Sequence, residues 1–388
     1  MIFGSAEYRG RLERTRDRMR ARGIDTLIVT DPANMHYLTG YDGWSFYTPQ
    51  GVAVPSEGDL LLFTRAMDTG GARLTTWLED GQILGFPEDY VQQPDRHPLD
   101  WVAGELRNRH LVDGVVALEM DSYYFSPRAY EALCRSLPST QIVDAEELVN
   151  WVRAVKSPGE LELMRRAARI VERVMRAGID AIEPGVRQCD AVAAIAAAQA
   201  RGTEETGGDY PAIVPMLPTG VGTSTPHLAW SDEPFRLGEA TILELAACCR
   251  RYHCPLARTV YLGDPPRKLL DVARVVEEGL EAALDAVCPG VRCEEVEAAW
   301  RQVIARHGFE KSSRIGYSVG LGYPPDWGEH TMSLRPGDRT ALEPNMAFHM
   351  ILGMWMDDWG YELSETFRVT EGGAECLCSF PRELTIKR

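Results

Sequence analysis

The 388-residue sequence predicts an α/β N-terminal domain followed by an α+β domain with an internal pseudo-twofold repeat. Three observations predict this. Short apolar runs alternate with amphipathic segments as far as Ala154. A strong helix start stands at Ser157-Pro158-Gly159-Glu160. Beyond it, three segments recur in the same order.

Tyr8 to Arg22 has the period of an amphipathic helix, closed by Gly23-Ile24-Asp25, and Thr26-Leu27-Ile28-Val29 is expected as a buried strand. Asp31-Pro32-Ala33-Asn34 predicts a turn that opens a short helix towards Leu38. Gly51 to Val54 and Asp59 to Phe63 read as a hairpin, and Gly114 to Leu118 as a further strand. Ser126-Pro127 caps a helix from Arg128 to Ser136. At the boundary, Ser157 is the N-cap, Pro158 takes the first helical position and Glu160 completes a capping box. That helix is expected to run to Ile182, where Pro184-Gly185 stops it, and Cys189 to Ala200 is a second helix. The domains are expected at 1–154 and 155–388.

The repeat begins with Ile179 to Arg187, which matches Leu284 to Arg292 around a shared Pro-Gly-Val-Arg. Gly238 to Glu244 matches Gly337 to Glu343, and Arg258-Thr259 matches Glu365-Thr366. Two helix-helix-hairpin halves would lay their helices on one face of a shared sheet. Such an arrangement is expected to bring Glu244 and Glu343 to one central site. Glu244 interrupts an apolar run, and an acid there is costly to bury unless it is paired or used. Arg250 or Arg251 offers a pairing at the strand end; recurrence around a second glutamate favours a catalytic carboxylate.

Composition excludes some functions. A formal charge of -16 argues against nucleic acid, whose phosphates demand basic patches. No apolar run reaches the roughly 20 residues of a membrane-spanning helix. The start, Met1 to Gly23, is polar and helical in period rather than a signal peptide, so a cytoplasmic protein is expected. Nine cysteines without zinc-site spacing read as free thiols in a reducing compartment.

These stretches resemble the pita-bread-fold family of methionine aminopeptidase, prolidase and creatinase. The resemblance rests on Arg153-Ala154-Val155-Lys156-Ser157-Pro158, on Pro226-His227 ahead of Gly238-Glu239, on Gly316 to Leu321, and on Leu342-Glu343-Pro344-Asn345-Met346. It implies a creatinase-like N-terminal α/β domain and a pita-bread catalytic domain. The family's metallopeptidases hold two metals with Asp, Asp, His, Glu and Glu. Carried over, those positions are Glu244, Pro255, Tyr317, Glu343 and Ser364. Proline offers no ligand, and tyrosine and serine are weak ones beside imidazole and carboxylate. No metal and no cofactor is therefore expected. Creatinase hydrolyses a C–N bond without metal; its catalytic histidine is matched by His227, but its glutamate before the Arg-Thr pair is Ala257, which argues against creatine. Asn34 to Tyr47, Gly207 to Pro215, Arg251 to Leu256, Tyr323 to Glu329 and Trp355 to Gly360 are similar to creatinase-like hydrolases that open a cyclic amidine. That implies a small-molecule substrate, a homodimer, and neither nucleic acid nor membrane as partner.

A planar amidinium is held by carboxylates and aromatic faces. The catalytic candidates are Glu244 as nucleophile or base, His227 as proton shuttle, and Glu343 and Glu365 on the amidinium nitrogens. The substrate-binding candidates are Trp44, Phe46, Tyr252, His253, Tyr317, Tyr323, Asp326, Trp327, His349 and Trp355. Some have structural readings: His253 as a hydrogen-bonded sheet histidine, Trp355 as core, Tyr317 as filler of the former metal cavity. Two other functions remain open. One is an Xaa-Pro-type metallopeptidase with ligands drawn from His227, His253, Glu343 and Glu365. The other is an inactive binding protein, against which the number of retained acids argues.

Overall fold

The computed structural model describes residues 2–388. The chain forms two compact units, one ending at Arg153 and the other spanning Ala154–Arg388. None of the described helices is long and apolar enough to cross a membrane.

The first unit runs α1 (Ser5–Ala21), β1 (Thr26–Val29), α2 (Pro32–Thr39), β2 (Gly51–Pro55), β3 (Leu61–Arg65), α3 (Thr69–Thr75), β4 (Ile83–Phe86), α4 (Pro98–Asn108), β5 (Val115–Leu118), α5 (Pro127–Ser136), β6 (Gln141–Asp144) and α6 (Leu148–Arg153). Its sheet order is β4-β3-β2-β1-β5-β6. The β1–β2 and β2–β3 pairs are antiparallel, and β1–β5 and β5–β6 are parallel. Local chemistry sets the helix ends. The Asp31 carboxylate accepts from the Ala33 and Asn34 N–H groups at 2.8 and 3.2 Å, and Gly40 closes α2 at φ 82°. Strands β4 and β6 are the two sheet edges and only four residues long.

The second unit runs α7 (Pro158–Ala181), α8 (Gln188–Arg201), β7 (Ala240–Cys249), β8 (Tyr252–Leu262), α9 (Arg267–Asp285), α10 (Cys293–Arg306), β9 (Gly316–Tyr323), β10 (Asp326–Leu334), β11 (Ala347–Trp355), β12 (Gly360–Thr370), β13 (Gly373–Cys376) and β14 (Thr385–Lys387). The sheet order is β13-β12-β11-β9-β8-β14, with β10 beside β9 and β7 beside β8. The capping box opens α7: Glu160 N–H donates to Ser157 Oγ at 3.4 Å, and Ser157 N–H to the Glu160 carboxylate at 2.8 Å.

The two halves meet where β8 runs beside β12, and hydroxyls join them. Thr259 Oγ1 donates to Glu362 O at 2.9 Å and accepts from Glu362 N–H at 3.0 Å. Thr366 Oγ1 donates to Pro255 O at 2.7 Å, and Ala257 N–H donates to Ser364 Oγ at 2.7 Å.

The repeat is real, but its register differs from the one expected. After each Pro-Gly-Val-Arg the chain makes an isolated antiparallel bridge, Arg187 with Pro234 and Arg292 with Ala341. The offset that takes Pro234 to Ala341 also takes Glu244 to Ile351, Ala257 to Ser364 and Arg258 to Glu365. Cross-strand pairing agrees, since Glu244 faces Ala257 and Ile351 faces Ser364. Ile351 is therefore the counterpart of Glu244. Glu343 precedes β11 in an exposed turn, where its N–H meets Met346 Sδ at 3.3 Å.

Side chains alternate across each strand, so one contact fixes a face. Gly178 of α7 packs against Leu243; a Cβ there would lie 3.4 Å from Leu243 Cδ1. Leu243 therefore faces the helices and Glu244 the opposite, concave side. On β12, Glu362 and Ser364 share that concave side, and Glu365 points to the helices.

Candidate functional site

The candidate site is the concave face of the second unit. Glu244 is buried at its centre, and among the described residues its carboxylate has no hydrogen bond or ion pair. Burial, and then the Asp326 charge, push its carboxyl up to about 7. Relative to its ordinary value that displacement is worth about 3 kcal/mol. Glu362 lies on the same face, 2 % exposed, and its Oε1 has no hydrogen-bond partner. Burial and the Glu244 charge push its carboxyl well up, against the opposing charge of Lys311. Lys311 is itself pushed down to about 8 by burial. Its ammonium lies 4.1 Å from the Trp355 ring centroid and donates to Gly353 O at 2.7 Å. Trp355 folds back over Gly353, the residue across from Glu362, and its buried Nε1 has no partner. Beside Trp355 and Lys311 opens a cleft of about 510 Å³.

Asp326 sits at the start of β10. Burial would raise its carboxyl, but hydrogen bonds from His330 at 2.9 Å and Gly328 N–H at 2.9 Å, with the nearby Arg314 charge, hold it below its ordinary value. Tyr317 faces His349 across the β9–β11 pair. Its hydroxyl accepts from Trp327 Nε1 at 2.8 Å and meets His349 Nδ1 at 3.0 Å. Burial, then the Glu244 charge, push the phenol far up. His349 Nε2 meets Ser364 Oγ at 2.8 Å. Burial, then the Arg314 charge, push His349 down to about 3, so its ring is neutral at working pH.

The structure thus brings together Glu244, Tyr317, Asp326, Trp327, His349 and Trp355. It places other expected residues elsewhere. Glu343 is in the exposed turn described above. Glu365 is on the helix side, where Oε1 accepts from Arg258 Nη2 at 2.8 Å and Arg382 Nε at 3.2 Å. Tyr252 also faces the helices, and its hydroxyl donates to Glu160 at 2.8 Å. His253 is on the concave side, but both nitrogens serve the backbone: Nε2 accepts from Ala212 N–H at 2.9 Å and Nδ1 meets Arg251 O at 3.0 Å. Burial pushes it down to about 4. Tyr323 is buried with the Arg251 guanidinium 5.5 Å from its ring centroid. His227 stands on an exposed loop at φ 65°. Trp44 and Phe46 belong to the first unit; Trp44 is 63 % exposed, with its ring centroid 4.7 Å from that of Phe46.

Glu362, Ser364, Lys311 and Arg314 were not among the expected site residues. Strand parity was a signal for the first two: Gly360 to Thr370 is one strand, and a lost ligand position at Ser364 puts Glu362 on its side and Glu365 on the other.

The matches to known proteins span the chain. Residues 162–371 match the model of metallopeptidase family M24, and residues 11–155 match that of the creatinase/prolidase N-terminal domain. The chain is 47% identical to an ectoine hydrolase of Halomonas elongata, covering 99% of this chain and 98% of that protein. It is 44% identical to an uncharacterized hydrolase/peptidase of Sinorhizobium fredii, with 99% and 98% covered. Among solved structures, a prolidase from Thermococcus sibiricus superposes with a TM-score of 0.85 at 20% identity, over 99% of this chain and 100% of that one. An X-Pro aminopeptidase from Thermotoga maritima gives 0.82 at 20%, over 97% and 99%. By its family models and its full-length relatives, the chain belongs to metallopeptidase family M24 and carries the creatinase/prolidase N-terminal domain that precedes the pita-bread fold.

Proposed function

We propose that this protein is a cytoplasmic hydrolase that opens the cyclic amidine ring of ectoine, giving N-acetyl-2,4-diaminobutyrate, without a metal ion. The observation that carries this reading is the 47% identity to the Halomonas ectoine hydrolase across nearly all of both chains. The chemistry of the concave face supports it. Glu244 and Glu362 are buried on that face; the Asp326 charge raises the Glu244 carboxyl, and the Glu244 charge raises that of Glu362. Lys311 and Arg314 oppose the charges of Glu362 and Asp326, but among the described residues no cation faces Glu244; an amidinium would supply one, and Tyr317, Trp327 and Trp355 offer it aromatic walls. Ionised Glu244 takes a proton from water as the oxygen bonds to the amidine carbon, or bonds to that carbon itself. Either route needs the carboxylate, so kcat/KM should fall as pH drops through about 7.

The family name implies two metals, and the residues present do not fit them. Pro255 has no donor atom. Tyr317 and Ser364 have their oxygens engaged with Trp327, His349 and the Ala257 N–H. Ile351 faces Ser364 where a carboxylate would be needed. Among the described residues no group of three or more His, Cys, Asp or Glu is arranged to hold a metal ion.

The test is turnover of ectoine followed by chromatography, before and after chelation, with metal content measured. Undiminished turnover at well under stoichiometric metal supports the reading. Activity lost on chelation and restored by zinc, manganese or iron returns the protein to Xaa-Pro-type metallopeptidase chemistry. We further place the active enzyme as a homodimer in which exposed Trp44, with Phe46, covers the site of the partner. Mixing inactive Glu244→Gln and Trp44→Ala subunits under exchange should then restore part of the activity; no recovery after confirmed exchange removes this arrangement.

A further inference from the structure

Tyr317, His349 and Ser364 form one continuous chain of hydrogen bonds, and a donor with no alternative terminates it at each end. Trp327 Nε1–H gives to the Tyr317 oxygen at 2.8 Å. Ala257 N–H gives to Ser364 Oγ at 2.7 Å. An indole N–H and a peptide N–H can only donate. Between them lie two links, Tyr317 to His349 Nδ1 at 3.0 Å and His349 Nε2 to Ser364 at 2.8 Å.

Counting protons fixes what this chain can do. Each hydroxyl brings one proton and the neutral imidazole brings one, three in all. The two links use two of them. One hydroxyl proton remains and is directed out of the chain. In the first arrangement Ser364 donates to Nε2, Nδ1–H donates to Tyr317, and the Tyr317 proton points outward. In the second, Tyr317 donates to Nδ1, Nε2–H donates to Ser364, and the Ser364 proton points outward. Both satisfy every nitrogen and oxygen, so the two tautomers of His349 are both fully bonded. Tyr317 lies under the charges of Glu244 and Asp326. At the other end Glu362 is two residues from Ser364 on the same strand face, with an unpartnered oxygen.

We propose that Ser364, His349 and Tyr317 are a proton relay that protonates the ring nitrogen as it leaves. The relay rests on the ring-opening reading for its substrate but not for its existence. Glu244 first takes a proton from water, and a C–O bond forms at the amidine carbon. The Tyr317 O–H bond then breaks, its proton goes to the departing nitrogen, and the C–N bond breaks. Tyr317 takes the Nδ1 proton, Nε2 takes the Ser364 proton, and Ser364 takes the proton of Glu362. The Glu362 carboxylate takes the hydroxyl proton of the collapsing adduct, which becomes the amide. Glu244 gives its proton to the freed amine, which leaves as an ammonium ion. All protein groups end with the protons they began with, and the relay has passed from its first arrangement to its second. Reorientation of the hydroxyls and imidazole tautomer resets it.

Two measurements test this. In the first, ring nitrogens of His349 are followed by 15N NMR in the whole protein. Expected is a neutral ring from about pH 5 to 9, with both nitrogens averaging between protonated and bare values. One fixed tautomer, or titration in that range, overturns the relay whatever the substrate. In the second, turnover of ectoine is measured in mixtures of light and heavy water. The wild-type rate should bend with deuterium fraction, as several protons move together. Ser364→Ala should lower kcat about 10²-fold, change KM by less than about 3-fold, and leave a straight dependence. Ser364→Thr should restore most of the rate and the curvature. Wild-type kcat or unchanged curvature in Ser364→Ala overturns the proposal. Should Ser364→Ala fail to fold, Tyr317→Phe carries the same expectation, and wild-type kcat or unchanged curvature there overturns the relay equally. A wild-type protein that does not turn over ectoine, yet shows both tautomers, fails the substrate reading and leaves the relay standing.

Discussion

The two faces of the second unit's sheet both bury glutamates, and treat them oppositely. On the helix side, Glu365 meets Arg258 and Arg382, and Arg258 also donates to the carbonyls of Ala257 at 2.8 Å, Ser364 at 2.7 Å and Phe380 at 3.1 Å. On the concave side, among the described residues, neither Glu244 nor Glu362 has an ion pair, whereas Glu365 has two. Glu365 Oε2, like Glu362 Oε1, has no hydrogen-bond partner among the described residues, so the difference lies in the ion pair and not in the lone oxygen. A buried pair contributes to architecture, and removing one member leaves the other uncompensated. A buried unpaired acid is a standing cost, here about 3 kcal/mol for Glu244 if it is to be ionised at neutral pH. A cationic ligand would relieve that cost, which is the physical ground for proposing the concave side as the working face.

The largest test of this contrast is Glu244→Gln. It should lower kcat at least about 10³-fold while making the fold more stable at alkaline pH. The sign follows from the raised carboxyl. Below the unfolded value of 4.5 the group is protonated in both states and costs nothing. As pH rises through about 7 the folded protein holds the proton longer than the unfolded chain, and stability is lost. Thermal melts should therefore favour the variant by about 1–3 kcal/mol near pH 8, and by little near pH 4. A variant less stable than wild type at pH 8 breaks the contrast.

Next is the helix side. Arg258→Met keeps much of the stem's volume but leaves Glu365 with Arg382 alone and several carbonyls without their donor. Urea unfolding should report a loss of about 3–5 kcal/mol. Turnover per folded molecule should fall far less than in Glu244→Gln. Unchanged stability would mean that Glu365 is not architectural.

Much of this was legible in the sequence, and what was not has identifiable causes. Ser157 to Glu160 announced the start of α7 because capping is local chemistry: one hydroxyl, one carboxylate and their backbone partners within four residues. Glu244 was legible because an acid inside an apolar strand is rare. Glu343 misled because its segment resembles that of Glu244 by composition, whereas sheet register follows cross-strand pairing. Two matches implied different spacings: Glu244 with Glu343, and Arg258 with Glu365. Only the second agrees with the pairing of Ile351 to Ser364. The face of Glu365 was decided by period-two alternation once Ser364 was placed. The bonds between Tyr317, His349 and Ser364 cross from β9 to β11 and from β11 to β12, so they depend on strand register and not on any pattern within one strand.

The smallest expected effect is as informative as the largest. Glu343 carries the same side chain as Glu244 and sits in a matching apolar-acid motif, yet the fold leaves it in solvent before β11. It has no buried charge to share and no counter-ion to lose. Glu343→Gln should therefore change stability by no more than about 0.5 kcal/mol. It should also leave kcat/KM for ectoine within about twofold, since no transition-state contact is removed. Measured beside Glu244→Gln in one assay, the pair separates position from residue type. If both variants lose activity alike, Glu343 reaches the chemistry by a route that its exposed turn does not supply, and the register that pairs Glu244 with Ile351 gives the wrong account of the repeat.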